Sequence, residues 1–160
     1  MVKQINLFLL RHAEAEFVTG TGGDISRVLT IKGQTQVSRL GILLKRNQIH
    51  FDLVLSSNAK RAQHTTEILT HVVMAKKIHF LRELYEADPQ IMLEIINKVG
   101  EEVANLLVVG HNPTISTLVA HLTGEDFISL QPGMVAKIEI HTGNWEGVGR
   151  ETGTLLEILQ

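Results

Sequence analysis

Residues 6–12 read NLFLLRH and residues 105–111 read NLLVVGH, so that a short apolar run twice ends in a histidine. A run of this length predicts a strand buried on both faces, the habit of a parallel sheet. Taken singly, each ending also has a bland reading, a strand turning polar as it enters water. If the two strands are parallel and near neighbours, His12 and His111 open on one crevice. In such sheets ligands bind outside the carboxyl ends of the strands.

Further strand-length runs occur at 53–55 and 135–140, with weaker ones at 78–81 and 155–159. Helical periods lie between them. Thr30 is placed to cap a helix reaching about Asn47 with Val37, Leu40 and Leu44 on one face. A second is predicted from about Ala59 to Met74, with Thr65, Ile68, Leu69 and Val72 on its inner side. Asp88 and Pro89 read as cap and first-turn proline before a stripe of Met92, Ile95, Ile96 and Val99, with Gly100 as the stop. Asn112 and Pro113 repeat the device before Ile115, Leu118, Val119 and Leu122, and Gly124 closes that helix. Strands alternating with helices predict an α/β three-layer sandwich, a largely parallel sheet with helices on both faces.

The 160 residues suit a single domain spanning 1–160. With 44% apolar and 20% charged residues and three prolines, the chain has the composition of a folded globule. A net charge of −2 without a basic run gives no footprint for nucleic acid or an anionic membrane surface. The absence of cysteine excludes disulfides, thiolate metal sites and cysteine nucleophiles. Arg11 arrives too early for a signal-peptide core and no run has the length of a membrane span, so a cytoplasmic protein is expected.

Two more strand ends carry chemistry. LVLSSNAKRAQHTTEIL, residues 53–69, puts Ser57 at a turn and Arg61 in the first turn of the next helix, facing the same edge. FLRELYEADP, residues 80–89, puts Glu83 after a strand, with Glu86 and Asp88 nearby. Two histidines, two arginines and a carboxylate on one crevice suit a phosphoryl group. Arginine offers a planar fork of donors to phosphate oxygens, and the helix N-termini after Ser57 and Asn112 add backbone donors. Arg11 and Arg61 disfavour a charged imidazole, leaving His12 a lone pair with which to attack phosphorus and form a phosphohistidine intermediate without a metal.

These residues resemble a known family. Arg11-His12 after the first strand, SSNAKRAQHTTEIL at 56–69 and VVGHNP at 108–113 are similar to the histidine phosphatase superfamily, the phosphoglycerate mutase-like fold, over residues 7 to about 124. The resemblance implies His12 as nucleophile, Arg11, Arg61 and His111 as clamps on the phosphoryl oxygens, and Glu83 as proton donor, with Glu86 and Asp88 as alternatives. Ala13 departs from the glycine of many members, which matters only if that backbone needs positive φ. The short interval from Glu83 to His111 leaves little room for a cap insertion. RHAEAE, DISRVLTIKG and LYEADP resemble the bacterial SixA-type phosphohistidine phosphatases, which implies a phosphorylated protein as partner and gives Arg27 an anion contact. Other readings within reach are a small-molecule phosphomonoesterase or mutase, and a non-catalytic phospho-binding adaptor.

The remaining histidines, His50, His64, His71, His79, His121 and His141, form no HExxH pattern, and no metal or other cofactor is expected. Gly20, Gly22 and Gly23 lack a phosphate-loop signature and read as a loop near the crevice. Glu14 and Glu16 either order the loop after His12 or are simply solvated. Trp145 either rims the crevice or packs on the sheet.

Overall fold

The computed structural model describes residues 3–17 and 21–160; Gly20 of the glycine-rich stretch lies outside them. Strand β1 (Ile5–Arg11) precedes helix α1 (Ile31–Arg46), then β2 (Phe51–Ser57), α2 (Lys60–Val72), β3 (Ala75–Leu81), α3 (Pro89–Asn97), β4 (Asn105–Gly110) and α4 (Thr114–Thr123). The antiparallel pair β5 (Val135–Ile140) and β6 (Gly153–Leu159) ends the chain, and single 3-10 turns occur at Asp24–Ser26 and Arg82–Leu84. The strands form one sheet in the order β3-β2-β4-β1-β5-β6. Pairs β2–β3, β2–β4 and β1–β4 are parallel and β1–β5 is antiparallel, so β5 alone runs against the rest.

Side-chain alternation along β1 divides the core in two. Leu7 and Leu9 enter the layer containing Met92, Ile96, Leu118 and Leu122 of α3 and α4. Phe8 and Leu10 enter the opposite layer, with Val37, Leu40, Leu44 and Leu69 of α1 and α2. Central strand β4 divides likewise, Leu106 and Val108 to one side and Leu107 and Val109 to the other. A strand buried on both faces must be apolar throughout, which is why these two read as unbroken apolar runs. Between β3 and β4 the chain forms only a 3-10 turn and α3, so no cap is inserted between these strands.

The expected caps at Thr30 and Asp88 are present: Thr30 Oγ1 accepts from Gly33 N at 2.9 Å and Asp88 Oδ1 from Ile91 N at 2.8 Å. Gly124, with φ of 73°, closes α4. Two boundaries differ. Helix α3 ends at Asn97 rather than at Gly100, because Lys98 N and Val99 N donate three residues back, to Ile95 and Ile96, and tighten the last turn. Its stripe also includes Leu93, which is buried, while Ile95 and Val99 are only partly covered. At α4 the N-cap position belongs to Pro113, which has no side-chain donor or acceptor, and Asn112 stands one residue earlier. Asn112 Oδ1 still accepts from Ser116 N (3.3 Å) and Ser116 Oγ (2.8 Å), and its Nδ2 donates to Leu130 O at 2.9 Å. It braces the helix start against the loop before β5.

Trp145 packs on the sheet rather than rimming a crevice: it is buried, and its Nε1 donates to Val103 O at 2.8 Å. Among the described residues no helix is long and apolar enough to cross a membrane.

Gly33 fastens α1 to the loop that follows His12. A Cβ at this position would lie 2.1 Å from the Glu14 carbonyl oxygen. Alanine in a helix interior ordinarily stabilises by about 0.5–1 kcal/mol over glycine. Gly33→Ala is expected instead to lower stability by about 1–3 kcal/mol, the range for overpacking against backbone. Urea denaturation checks it, and an unchanged or raised midpoint would remove this contact from the account.

Candidate active site

The β1–β4 register aligns Arg11 with Gly110, so the next residues of both strands, His12 and His111, leave the sheet side by side. His12 N donates to Gly110 O at 3.1 Å, and the two imidazole centroids are 5.1 Å apart. Strand β2 brings Ser57 to the same edge, where its Oγ lies 2.8 Å from His111 Nε2. Arg61, one residue into α2, is buried and aims Nε at His12 Nε2 over 3.3 Å. Arg11 turns to the loop before β5, with NH1 donating to Leu130 O at 2.9 Å. That carbonyl also receives Asn112 Nδ2, so Asn112 and Arg11 share one anchor.

The protons of the site follow from its acceptors. His12 Nδ1 lies 2.7 Å from the Ala13 carbonyl, which can only accept, so Nδ1 carries the ring proton and Nε2 holds the lone pair. Burial is the main force that pushes His12 down to about 4, with the charges of Arg61, Arg11 and Arg27 acting the same way and the Ala13 carbonyl opposing. His111 is pushed down to about 3, first by burial and then by His12 and Arg61. Ser57 Oγ accepts from Ala59 N, so directing its own proton to His111 Nε2 satisfies both groups and leaves the His111 proton on Nδ1. Among the described residues, two buried side-chain nitrogens, Arg11 Nε and His111 Nδ1, have no partner. A buried donor without a partner costs about 1–3 kcal/mol.

Other expected residues are placed differently. Glu83 is exposed on the 3-10 turn after β3 and, among the described residues, makes no hydrogen bond or ion pair with His12, Arg61 or His111. Glu86 is exposed, and Asp88 is engaged as the α3 cap. Arg27 donates from Nε to Glu16 O (2.6 Å) and from NH1 to Asp24 Oδ1 (3.1 Å), so it reaches the site through a carboxylate. Ala13 is not among the positive-φ residues, and its N donates to Thr65 Oγ1 at 3.1 Å, tying the loop to α2. Glu14 orders the loop: its carboxylate accepts from Thr30 Oγ1 at 2.7 Å and its carbonyl from Thr30 N at 3.0 Å. Glu16 contributes backbone groups, pairing its N with Val28 O.

Asp24 and Tyr85 were not singled out in the sequence, yet both stand at the site. The Asp24 carboxylate meets Arg61 NH2 at 3.0 Å, Arg27 NH1 at 3.1 Å and the Tyr85 hydroxyl at 2.6 Å. The Tyr85 ring stands edge-on to His111 with centroids 5.7 Å apart. One signal for Asp24 was available: a buried arginine requires an acidic or carbonyl partner, and DISRVLT offers an acid beside Arg27.

The model of the histidine phosphatase superfamily (branch 1) matches residues 7–93, more than half of the chain, and the protein belongs to that family. Within it, the fold is of the SixA type. The structure of the protein histidine phosphatase SixA complexed with tungstate superposes with a TM-score of 0.82 at 25% identity, covering 98% of this chain and 97% of that one. An uncharacterized protein of Mycobacterium tuberculosis, Rv1276c, is 37% identical over 120 residues, 73% of each chain. The same fold, at 22% identity and a TM-score of 0.72, occurs in a provisionally assigned alpha-ribazole-5'-P phosphatase of Escherichia coli K-12, with 98% of this chain and 97% of that one covered.

A histidine whose folded value lies below 6.5 binds fewer protons folded than unfolded over the interval between the two. His12 therefore makes stability rise with pH from about 4 to 6.5, and His111 from about 3 to 6.5, and both contributions are lost as pH falls through those windows. NMR titration of the His12 ring is expected to show the Nδ1-protonated tautomer at neutral pH and a midpoint near 4. A midpoint at 6.5 would contradict the buried, arginine-flanked environment.

Proposed function

We propose that this protein is a phosphatase that passes the phosphoryl group through His12 Nε2, and that its substrate is a phosphohistidine on another protein. The observation that carries the reading is the His12 hydrogen bond to Ala13 O, which leaves a lone pair on Nε2 facing the Arg61 guanidinium. A phosphoryl dianion drawn between Arg11, Arg61 and His111 Nδ1 takes over the Arg61 donor from Nε2. The freed lone pair attacks phosphorus in line, and the bond from phosphorus to the leaving group breaks. Water then attacks the phosphorus on Nε2, the P–N bond breaks, and inorganic phosphate leaves with His12 restored. Arg11, Arg61 and His111 act by stabilising charge on the equatorial oxygens. Ser57 orients His111, and Asn112 supports Arg11 through the Leu130 carbonyl.

Leaving-group chemistry favours phosphohistidine. A phosphorylated imidazole protonated on its other nitrogen departs as neutral imidazole and requires no acid. An alkoxide requires a proton, and Glu83, the proposed donor, is exposed and unattached to the cluster. The lack of a cap inserted between β3 and β4 also suits a side chain presented by a protein. The likeness to a SixA that binds tungstate, a tetrahedral oxyanion, supports an anion site of this kind.

His12→Ala is expected to lower turnover of a phosphohistidine protein, and of p-nitrophenyl phosphate with chelator present, by at least about 10³-fold. Acid-labile phosphate is expected on the wild-type chain alone. Full activity in the variant sinks the mechanism, and phosphate-analogue binding without wild-type turnover makes the protein an adaptor. Glu83→Gln is expected to slow an alkyl phosphomonoester more than phosphohistidine. Equal slowing of both would remove the leaving-group argument.

A further inference from the structure

Arg61 is a buried cation whose two terminal nitrogens are held by one residue. NH1 donates to the Asp24 carbonyl at 2.8 Å and NH2 to Asp24 Oδ2 at 3.0 Å, while Nε points at His12 Nε2. A guanidinium has five N–H donors, so among the described residues these contacts engage three and leave two for a substrate. Asp24 is itself fixed from two sides, by the Tyr85 hydroxyl on Oδ2 and by Arg27 NH1 on Oδ1. Tyr85 spans the group, its ring against His111 on one side and 5.9 Å from the Arg61 guanidinium carbon on the other. The Asp24 carboxyl is held far below the ordinary carboxylate range, chiefly by the Tyr85 hydroxyl and then by Arg27 and Arg61, so it is ionised at neutral pH.

A carboxylate among arginines has two opposed roles open to it. It either fills the place of a phosphoryl oxygen and competes with substrate, or it fixes the guanidinium so that the rest can act. Three details decide for the second. The Asp24 backbone carbonyl takes NH1, a contact that no mobile anion mimic requires. The Asp24 contacts lie on the terminal nitrogens, leaving the Nε edge turned to His12. Tyr85 donates its hydroxyl to the acceptor that binds Arg61, so the carboxylate has a support of its own.

We propose that Asp24 is the positioning residue of Arg61, with Tyr85 as its strut, setting the angle at which the guanidinium meets both His12 Nε2 and the phosphoryl oxygens. The inference rests on the reading of Arg61 as the clamp on the transition state. A guanidinium released from Asp24 keeps its charge but loses its orientation, so the loss falls on kcat more than on KM.

The test is a double-mutant cycle with p-nitrophenyl phosphate turnover and vanadate affinity as readouts. Asp24→Asn keeps the size of the side chain and removes its charge. It is expected to lower kcat about tenfold with a smaller change in KM, as misplacing a clamp does. In an Arg61→Ala background the same change is expected to move turnover and vanadate affinity by less than about twofold, because a residue that acts only through Arg61 has nothing left to position. Tyr85→Phe is expected to follow the same pattern with a smaller loss. An equal loss in both backgrounds makes Asp24 merely structural and overturns the proposal. Higher kcat/KM with tighter vanadate binding in Asp24→Asn makes it a competitor of substrate and overturns it too. Full activity of Arg61→Ala alone fails the reading of the site itself, which separates that failure from the failure of Asp24.

Discussion

The parallel pairing of β1 with β4 is the constraint on which the site depends. With Arg11 opposite Gly110, two imidazoles must emerge next to each other at one sheet end. A slip of one residue would turn every side chain of β1 to the other face and exchange the two core layers, so the apolar pattern that builds the core also fixes the histidine pair. Placing two imidazoles together beside three arginines carries an electrostatic consequence. Burial and like charge keep both neutral, and protonation of one opposes protonation of the other. The lone pair on His12 Nε2, the proposed nucleophile, is therefore kept free by the fold rather than by a neighbouring base.

The arginines require their own compensation. Arg11 rests on a backbone carbonyl that Asn112 also grips, and Arg61 and Arg27 share the Asp24 carboxylate. A cluster neutralised throughout would have no pull on a dianion, and one without any acid would leave a buried guanidinium unsupported. Here one carboxylate stands against three guanidinium groups, and among the described residues Arg11 Nε and His111 Nδ1 remain without partners. Under the proposed function, the phosphoryl dianion supplies the missing negative charge.

The fold was legible because its signals are strong and local. Continuous apolar runs became central strands, and Thr30 and Asp88 capped the helices they precede. The pairing of His12 with His111 was legible too, as two like strand ends in a parallel sheet. Less was visible where a residue acts through atoms far along the chain. Asp24 lies 37 positions from Arg61 and Tyr85 lies 61 from Asp24, so no spacing rule links them. Asn112 is a similar case: the Asn-Pro pair suggested a cap, whereas the helix starts one residue later and leaves the amide to brace Leu130. Glu14 shows the opposite outcome, an acid with two readings that long-range contacts with Thr30 resolve in favour of ordering the loop.

The proposed function turns on one atom, Nε2 of His12, as the place where phosphorus is attacked. A crystal structure of the protein with vanadate tests that directly. A five-coordinate vanadate bonded to His12 Nε2, with oxygens on Arg11, Arg61 and His111 Nδ1, is expected. Vanadate bonded to another side chain, or seated away from His12, would contradict it.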